Sequence, residues 1–164
     1  MRVMILMGVT GSGKTTIGTR VASRLGWTFL DADDFHSAAN KAKMQSGTPL
    51  SDADRLPWLQ SIHDELVRRA AHGENIVLAC SALKQCYRDI LSDGLEVKVV
   101  YLKDSFEHLQ HRIEERHGHF AGRGILPGQF ADLEEPRDAL VVDAAKPPAQ
   151  VVDEILVKLG VVEA

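Results

Sequence analysis

The sequence has few cysteines, no excess of basic charge and no long apolar run. Its two cysteines, Cys80 and Cys86, lack C-x-x-C spacing and are too few for a disulfide framework, which argues against a disulfide scaffold or a zinc ribbon. The 19 Lys and Arg residues are outnumbered by 23 Asp and Glu residues, and the net charge of −4 argues against a nucleic-acid-binding protein. The apolar run at residues 3–7 is too short for a signal core or a membrane span. We therefore expect a cytoplasmic protein with neither nucleic acid nor membrane as a partner.

Strand and helix patterns alternate along the chain. Buried strands are predicted at residues 3–7, 27–30, 76–79, 97–102 and 140–142. Helices are predicted at residues 14–25, 36–44, 57–71, 83–91, 105–116 and 149–159, with Pro57 opening the third. This alternation predicts an α/β fold with parallel strands and helices on both faces of the sheet. We expect residues 1–164 to form one domain, with the glycine-rich segment at residues 117–129 as a mobile loop over the site.

A phosphate-binding motif stands between the first predicted strand and helix. Residues 8–15, GVTGSGKT, match GxxxxGK[ST], the P-loop pattern, in the strand-to-helix setting that the motif requires. Backbone N–H groups and the helix start can then hold phosphates, Lys14 can reach the outer phosphates, and Thr15 can hold Mg²⁺. The motif predicts ATP-type nucleotide binding by six residues: Gly11, Ser12, Gly13, Lys14, Thr15 and Thr16.

The P-loop alone does not identify the reaction, so the acidic residues decide it. A guanine-nucleotide switch is disfavoured because the only NKxD-like string, NKAK at residues 40–43, lies early and lacks the Asp. The third strand, IVLACS, lacks a terminal acid, which leaves DADD at residues 31–34 as the source of carboxylates. Strand alternation predicts that Asp31 and Asp33 point the same way, with Asp31 steadying the metal's water shell and Asp33 accepting a substrate hydroxyl. The alternative is helix capping by Asp33 or Asp34.

Several longer strings resemble the gluconokinase family of P-loop carbohydrate kinases. They include DADDFHSAANKAKMQSGTPLSDADRLPWL at residues 31–59, CSALKQCYRD at residues 80–89, and RIEERHGHF, QF and LEEP between residues 112 and 136. The resemblance implies phosphorylation of D-gluconate at its 6-hydroxyl by MgATP, supplying 6-phosphogluconate to the pentose phosphate pathway. It also implies a three-layer P-loop fold like that of nucleoside monophosphate kinases, a parallel sheet of order 2-3-1-4-5, a closing lid and a homodimer.

The same resemblance implies roles for individual residues. Asp33 matches the acid that holds and activates the substrate hydroxyl, with His36 beside it. Positive charge for the substrate carboxylate is implied at Arg55, Lys84 and Arg88, and we expect Lys84 and Arg88 to share one helix face.

The resemblance extends to residues around the lid. One of Arg112 and Arg116 is implied to contact adenine and the other the transferring phosphoryl group; we assign Arg112 to the nucleotide and Arg116 to catalysis. His119 is a candidate substrate contact. The family pattern is broken at Ser37, where Pro is common, and in the lid, where the basic residue moves to Arg123.

Two other kinds of function remain as alternatives. A shikimate or nucleoside monophosphate kinase would share the scaffold, and a non-catalytic nucleotide sensor would share the P-loop. A zinc site among the histidines is disfavoured, because His108 and His111 lie on a helix with its own apolar face and no recognised ligand spacing is completed.

Overall fold

A parallel sheet of five strands forms the centre of the structure. The computed structural model describes residues 3–117 and 125–160. The strands are β1 (Val3–Met7), β2 (Thr28–Asp31), β3 (Ile76–Ala79), β4 (Val97–Lys103) and β5 (Leu140–Asp143). Their order is β2-β3-β1-β4-β5, and every neighbouring pair is parallel. The strand order implied by the resemblance is therefore confirmed, and β1, which leads into the P-loop, is central.

Seven helices and one 3₁₀ turn connect the strands. The helices are α1 (Lys14–Leu25), α2 (Ala38–Gln45), α3 (Asp52–Ala71), α4 (Gln85–Ser92), α5 (Phe106–His117), α6 (Leu126–Asp132) and α7 (Pro148–Lys158) within the described ranges. The 3₁₀ turn, Ala32–Phe35, directly follows β2.

Both faces of the sheet are covered, which explains the continuous apolar run of β1. Val3, Ile5 and Met7 belong to a core cluster with side chains of α3 and α4. Met4 and Leu6 belong to a second cluster with side chains of α1 and α7. All five β1 residues are buried, as expected for a parallel strand between two helical layers. The predicted α/β class is confirmed.

Three predicted boundaries are wrong for local reasons. The third helix begins at Asp52 rather than Pro57, because Ser51 and Asp54 form a reciprocal capping box that starts it one and a half turns earlier. The second helix begins at Ala38 rather than at residue 36, because the Ser37 hydroxyl caps it by accepting from Asn40 N–H at 3.1 Å.

The third correction concerns the predicted loop. Residues 126–129, expected to belong to a mobile loop, form the first part of α6, with Pro127 in its first turn. Leu126 is fully buried against Leu109 and Ile113 of α5, and Phe130 meets Phe106 edge-on with ring centroids 5.5 Å apart. Tertiary packing therefore stabilises a helix too short to form alone. Residues 118–124 of the predicted lid lie outside the described residues.

Candidate active site

The P-loop lies at the carboxyl end of β1, with its glycines in conformations that side chains resist. Gly13 caps α1 with a φ of +93°, and Gly11 has a φ of +82°. A Cβ on Gly11 would lie 3.1 Å from Ile113 Cγ1, so α5 packs directly against the loop. Lys14 Nζ donates to the Val9 carbonyl at 3.1 Å. These contacts place backbone N–H groups and one ammonium around a single concave surface.

Asp31 connects the P-loop helix to the acidic segment. One carboxylate oxygen accepts from Thr15 Oγ1 at 3.0 Å, and the other accepts from the Asp33 backbone N–H at 3.0 Å. Asp31 caps the 3₁₀ turn. Neither Asp33 nor Asp34 caps it, so the capping alternative is wrong for this turn.

Asp31 and Asp33 line the same cavity, but strand alternation is the wrong reason. The strand ends at Asp31, and the 3₁₀ turn then brings Asp33 to the same side. The cavity has a volume of about 270 Å³ and is also lined by Lys14, Thr15, Arg116 and Gln129. The acidic pair and the P-loop lysine therefore meet in one place.

The electrostatics of this cavity favour proton acceptance by Asp33. Burial and the neighbouring Asp31 charge raise the pKa of Asp33, against the attraction of Lys14. Burial likewise lowers the pKa of Lys14, while the nearby acidic groups oppose the shift. Burial raises the pKa of the Cys80 thiol to about 12, so this cavity-lining residue is neutral. Asp33 is thus the carboxylate whose basicity the site increases.

His36 follows Asp33 in the chain and stacks on the largely buried ring of Trp58. Its ring stacks on Trp58 with centroids 4.2 Å apart and planes 13° apart. Trp58 Nε1 in turn donates to the Ala32 carbonyl at 2.7 Å. Burial lowers the pKa of His36 and favours the neutral ring. Its Nδ1 is buried and has no hydrogen-bond partner among the described residues.

Arg55 and Lys84 meet around the ring of Tyr87. The Arg55 guanidinium lies 5.5 Å and the Lys84 ammonium 5.6 Å from the ring centroid. Arg55 donates to the Tyr87 hydroxyl at 2.9 Å, and Lys84 Nζ lies 3.0 Å from an Asp52 oxygen that also accepts from that hydroxyl. Asp132 lies 3.7 Å from Arg55. The structure therefore brings these two predicted cations together.

Arg88 does not join them. Lys84 is the extended residue before α4 rather than part of it, so the expected shared helix face is wrong. The Arg88 guanidinium is buried and donates to the carbonyls of Ala82 at 2.6 Å and Glu134 at 2.8 Å. Its hydrogen bonds thus tie the chain before α4 to the chain after α6 and place it away from the acidic pair.

The two arginines of α5 have different environments. Arg112 donates to the carbonyls of Gly11 at 3.0 Å and Ala144 at 3.2 Å, so it holds the P-loop against the chain after β5. Arg116 has an exposed side chain that lines both the acidic cavity and a second cavity of about 220 Å³. The second cavity lies between the starts of α1 and α7, where Ile17, Pro148 and Val151 give it an apolar wall.

Comparisons with known proteins place the chain in a family. A family model described as an AAA domain matches residues 3–135. The curated "Probable gluconokinase" of Mus musculus is 49% identical, over 82% of this chain and 83% of that protein. The chain belongs to the gluconokinase family. The crystal structure of a gluconokinase from Sinorhizobium meliloti 1021 matches with a TM-score of 0.88 at 39% identity, covering 96% of this chain and 91% of that one.

A second solved structure is similarly close. An unliganded sugar kinase from Janibacter sp. HTCC2649 has a TM-score of 0.90 and 42% identity, and the match covers 98% of this chain and 95% of that one. Solved shikimate kinases at 20% identity share the fold alone. Membership of the gluconokinase family therefore agrees with the resemblance seen in the sequence.

Sequence reasoning missed three residues of this gluconokinase-family site. Gln129 lines the acidic cavity, and its Oε1 accepts from the Thr10 backbone N–H at 2.6 Å. Tyr87 and Asp52 organise the two cations. The signal that could have found Gln129 and Tyr87 is their presence in the QF and SALKQCYR strings, which we used only as family markers.

Other predicted features lie outside the site or outside the described residues. His119 and Arg123 belong to residues 118–124, which the structure does not describe. Over residues 3–117 and 125–160, no group of three or more His, Cys, Asp or Glu side chains is placed to hold a metal ion. The helices of this part of the chain include none with the length and apolar character needed to cross a bilayer.

Proposed function

We propose that this protein is a gluconokinase that transfers the γ-phosphoryl group of ATP to the 6-hydroxyl of D-gluconate, giving 6-phospho-D-gluconate and ADP. The observation that carries the proposal is the single cavity in which Lys14 of the P-loop and Asp33 after β2 face each other. Family membership identifies the acceptor, because curated relatives from Mus musculus to Gluconobacter oxydans are named gluconokinases.

In this proposal Asp33 is the catalytic base. No donor among the described residues binds its carboxylate, so both oxygens are available to the substrate hydroxyl. Burial and the neighbouring Asp31 charge raise its pKa, which makes it a better proton acceptor than an ordinary aspartate. Asp33 orients the 6-hydroxyl and takes its proton as the phosphoryl group is transferred. Neutral His36 contacts a neighbouring sugar hydroxyl.

Arg55 and Lys84 bind the gluconate carboxylate in this proposal. Both lie within 5.6 Å of the centroid of the Tyr87 ring, and a planar guanidinium can bind a carboxylate through two hydrogen bonds. Arg88 has a different role from the one that the resemblance implied. Because its guanidinium is used by backbone carbonyls, it supports the chain around Lys84 instead of touching substrate.

The nucleotide occupies the two adjoining cavities. The P-loop residues 11–16 bind the phosphates, and the base lies in the second cavity near Arg112. Lys14 and Arg116 offset the charge that moves during transfer, because Arg116 borders both cavities. Arg112 acts indirectly, by holding the Gly11 carbonyl.

The residues present fit a Mg²⁺ ion that accompanies ATP. Thr15 Oγ1 and Asp31 Oδ2 lie 3.0 Å apart beside the phosphate-binding loop, and hydroxyl and carboxylate oxygens are the ligands that Mg²⁺ prefers. Thr15 would hold the ion directly and Asp31 through water. When bound, the ion neutralises phosphate charge. A single carboxylate suffices because phosphate and water oxygens supply the other ligands.

The remaining family expectations complete the proposal. We expect one kinase domain over residues 1–164 with a lid at about residues 117–129, which ends in the first turn of α6 and in which His119 contacts substrate. Closure of the lid would exclude water and suppress ATP hydrolysis. We also expect a cytoplasmic homodimer whose product enters the pentose phosphate pathway.

A coupled enzymatic assay of ADP release tests the proposal. The phosphoryl acceptors compared are D-gluconate, the neutral polyol of equal length, shikimate and nucleoside monophosphates. We expect rapid ADP release with gluconate and little with the others. Phosphorus NMR of the product should place the phosphate on the 6-hydroxyl. Equal rates with gluconate and the polyol would refute the carboxylate assignment, and faster turnover of shikimate or a nucleotide would refute the proposed function.

A further inference from the structure

Gln129 links a helix that is distant in sequence to the phosphate-binding loop. Its Oε1 accepts from the Thr10 N–H at 2.6 Å, and the two residues are 119 positions apart. The side chain is half-buried and lines the cavity that holds Lys14 and Asp33. The position of α6 therefore depends on the conformation of the P-loop.

The same helix also reaches the cations proposed to bind the sugar acid. Asp132 lies three residues after Gln129, so the two side chains share one face of α6. The Asp132 carboxylate lies 3.7 Å from Arg55, whose guanidinium also donates to Tyr87. One face of α6 thus touches the phosphate loop at Gln129 and the sugar-acid side at Asp132.

The chain that follows α6 is firmly anchored. Glu134 N–H donates to the Leu83 carbonyl at 2.8 Å, and its carboxylate accepts from Gln85 N–H at 2.8 Å. Buried Arg88 donates to the Glu134 carbonyl. Leu126 and Phe130 pack the helix against α5, and the hydrogen bond between Gln129 and Thr10 adds its direct contact with the P-loop.

We propose that Gln129 is a positioning residue that couples nucleotide binding to sugar-acid binding through α6. This inference rests on the proposed function. Bound phosphates fix the P-loop, which presents the Thr10 N–H to Gln129 in one place and holds α6. Asp132 then holds Arg55 in the direction needed by the gluconate carboxylate. Binding of the nucleotide therefore includes the loss of conformational entropy of α6. Gluconate then binds to the ordered helix and binds more tightly.

Calorimetric titration of D-gluconate measures this coupling. The dissociation constant is determined for the enzyme alone and for the enzyme saturated with Mg²⁺ and a non-hydrolysable ATP analogue. For the wild type we expect gluconate to bind about fivefold or more tightly with the analogue present. In Gln129→Met, which keeps the volume but loses the acceptor, the ratio should fall to about one while affinity without nucleotide stays within about twofold of wild type.

Two further variants sharpen the test. Asp132→Asn alters the other end of the same helix face and should also reduce the ratio, which keeps the inference testable if Gln129→Met folds poorly. Gln60→Ala is the matched control, because Gln60 is an exposed helical glutamine whose hydrogen bond within the described part of the chain is to Asp64 of the same helix. It should keep the wild-type ratio.

The outcomes separate the inference from the proposed function. A wild-type ratio near one, an unchanged ratio in Gln129→Met, or equal loss of affinity with and without nucleotide would overturn the coupling role, even if gluconate is phosphorylated normally. A wild type that neither binds nor phosphorylates gluconate would refute the proposed function and the inference with it.

Discussion

Replacing Asp33 by Asn tests the step on which the proposed chemistry depends. Asn keeps the size of the side chain and removes its ability to accept a proton. Since general-base catalysis contributes about 10²–10⁴-fold, kcat should fall by that factor, or about 2.7–5.4 kcal/mol in activation free energy. The carboxylate accepts no hydrogen bond among the described residues, and burial and the Asp31 charge disfavour its ionised form, so the free energy of unfolding at neutral pH should stay the same or rise.

The assay must separate chemistry from nucleotide binding. In the proposed function the P-loop and Lys14 hold the phosphates, so the dissociation constant of the ATP analogue should stay within about threefold of wild type, allowing for a small change in the charge around Lys14. Steady-state kinetics with gluconate, calorimetry with the analogue and thermal unfolding together give the three quantities. Asp34→Asn is the matched control, as Asp34 is exposed, adjacent and absent from the cavity lining. A kcat within tenfold of wild type, or a parallel loss of ATP binding, would refute the base assignment.

Three other changes have defined outcomes. Asp31→Asn removes a charge that raises the pKa of Asp33, so the pKa of Asp33 should fall. Since Asp33 must be ionised to accept a proton, the acid limb of the pH profile of kcat/KM should move to lower pH. A shift to higher pH would contradict this electrostatic account. Arg55→Met should raise the KM for gluconate about tenfold to hundredfold with little change in the KM for ATP, whereas Arg24→Met, at an exposed ion pair, should change neither. Ser51→Ala should lower the unfolding free energy by about 1 kcal/mol in a denaturant titration, against little change in Ser61→Ala within the same helix.

The strands of the sheet can be predicted from the sequence because buried parallel strands have a simple residue pattern. A strand covered on both faces reads as a short apolar run, and all five runs became strands within one or two residues of their predicted ends. The P-loop was equally clear, since its glycines and lysine are contiguous. By contrast, Pro57 was a misleading start signal for α3. The capping box formed by Ser51 and Asp54 is a stronger local signal for the start of this helix.

Contacts between distant segments explain what sequence alone did not predict. The start of α4 is set partly by Glu134, whose carboxylate accepts from Gln85 N–H across 49 residues. Because α4 begins at Gln85, Lys84 is its N-cap residue and has an extended backbone, and the Arg88 side chain is buried. A four-residue spacing could indicate a shared face only if both residues were helical. Likewise, α6 depends on packing of Leu126 against α5, which no local pattern within a glycine-rich stretch reveals.

The charges around Tyr87 suggest how the proposed site distinguishes a sugar acid from a neutral polyol. Arg55 and Lys84 are already matched by Asp132 and Asp52, so a net positive field cannot account for binding. Asp52 is 62% exposed in its side chain and also accepts a hydrogen bond from the Tyr87 hydroxyl, so on leaving Lys84 it can keep that bond and be resolvated by water. A gluconate carboxylate can therefore take the place of the Asp52 carboxylate beside Lys84, so that one negative charge replaces another. A neutral polyol offers no such replacement, so discrimination follows from the placement of one exposed carboxylate beside one half-buried ammonium.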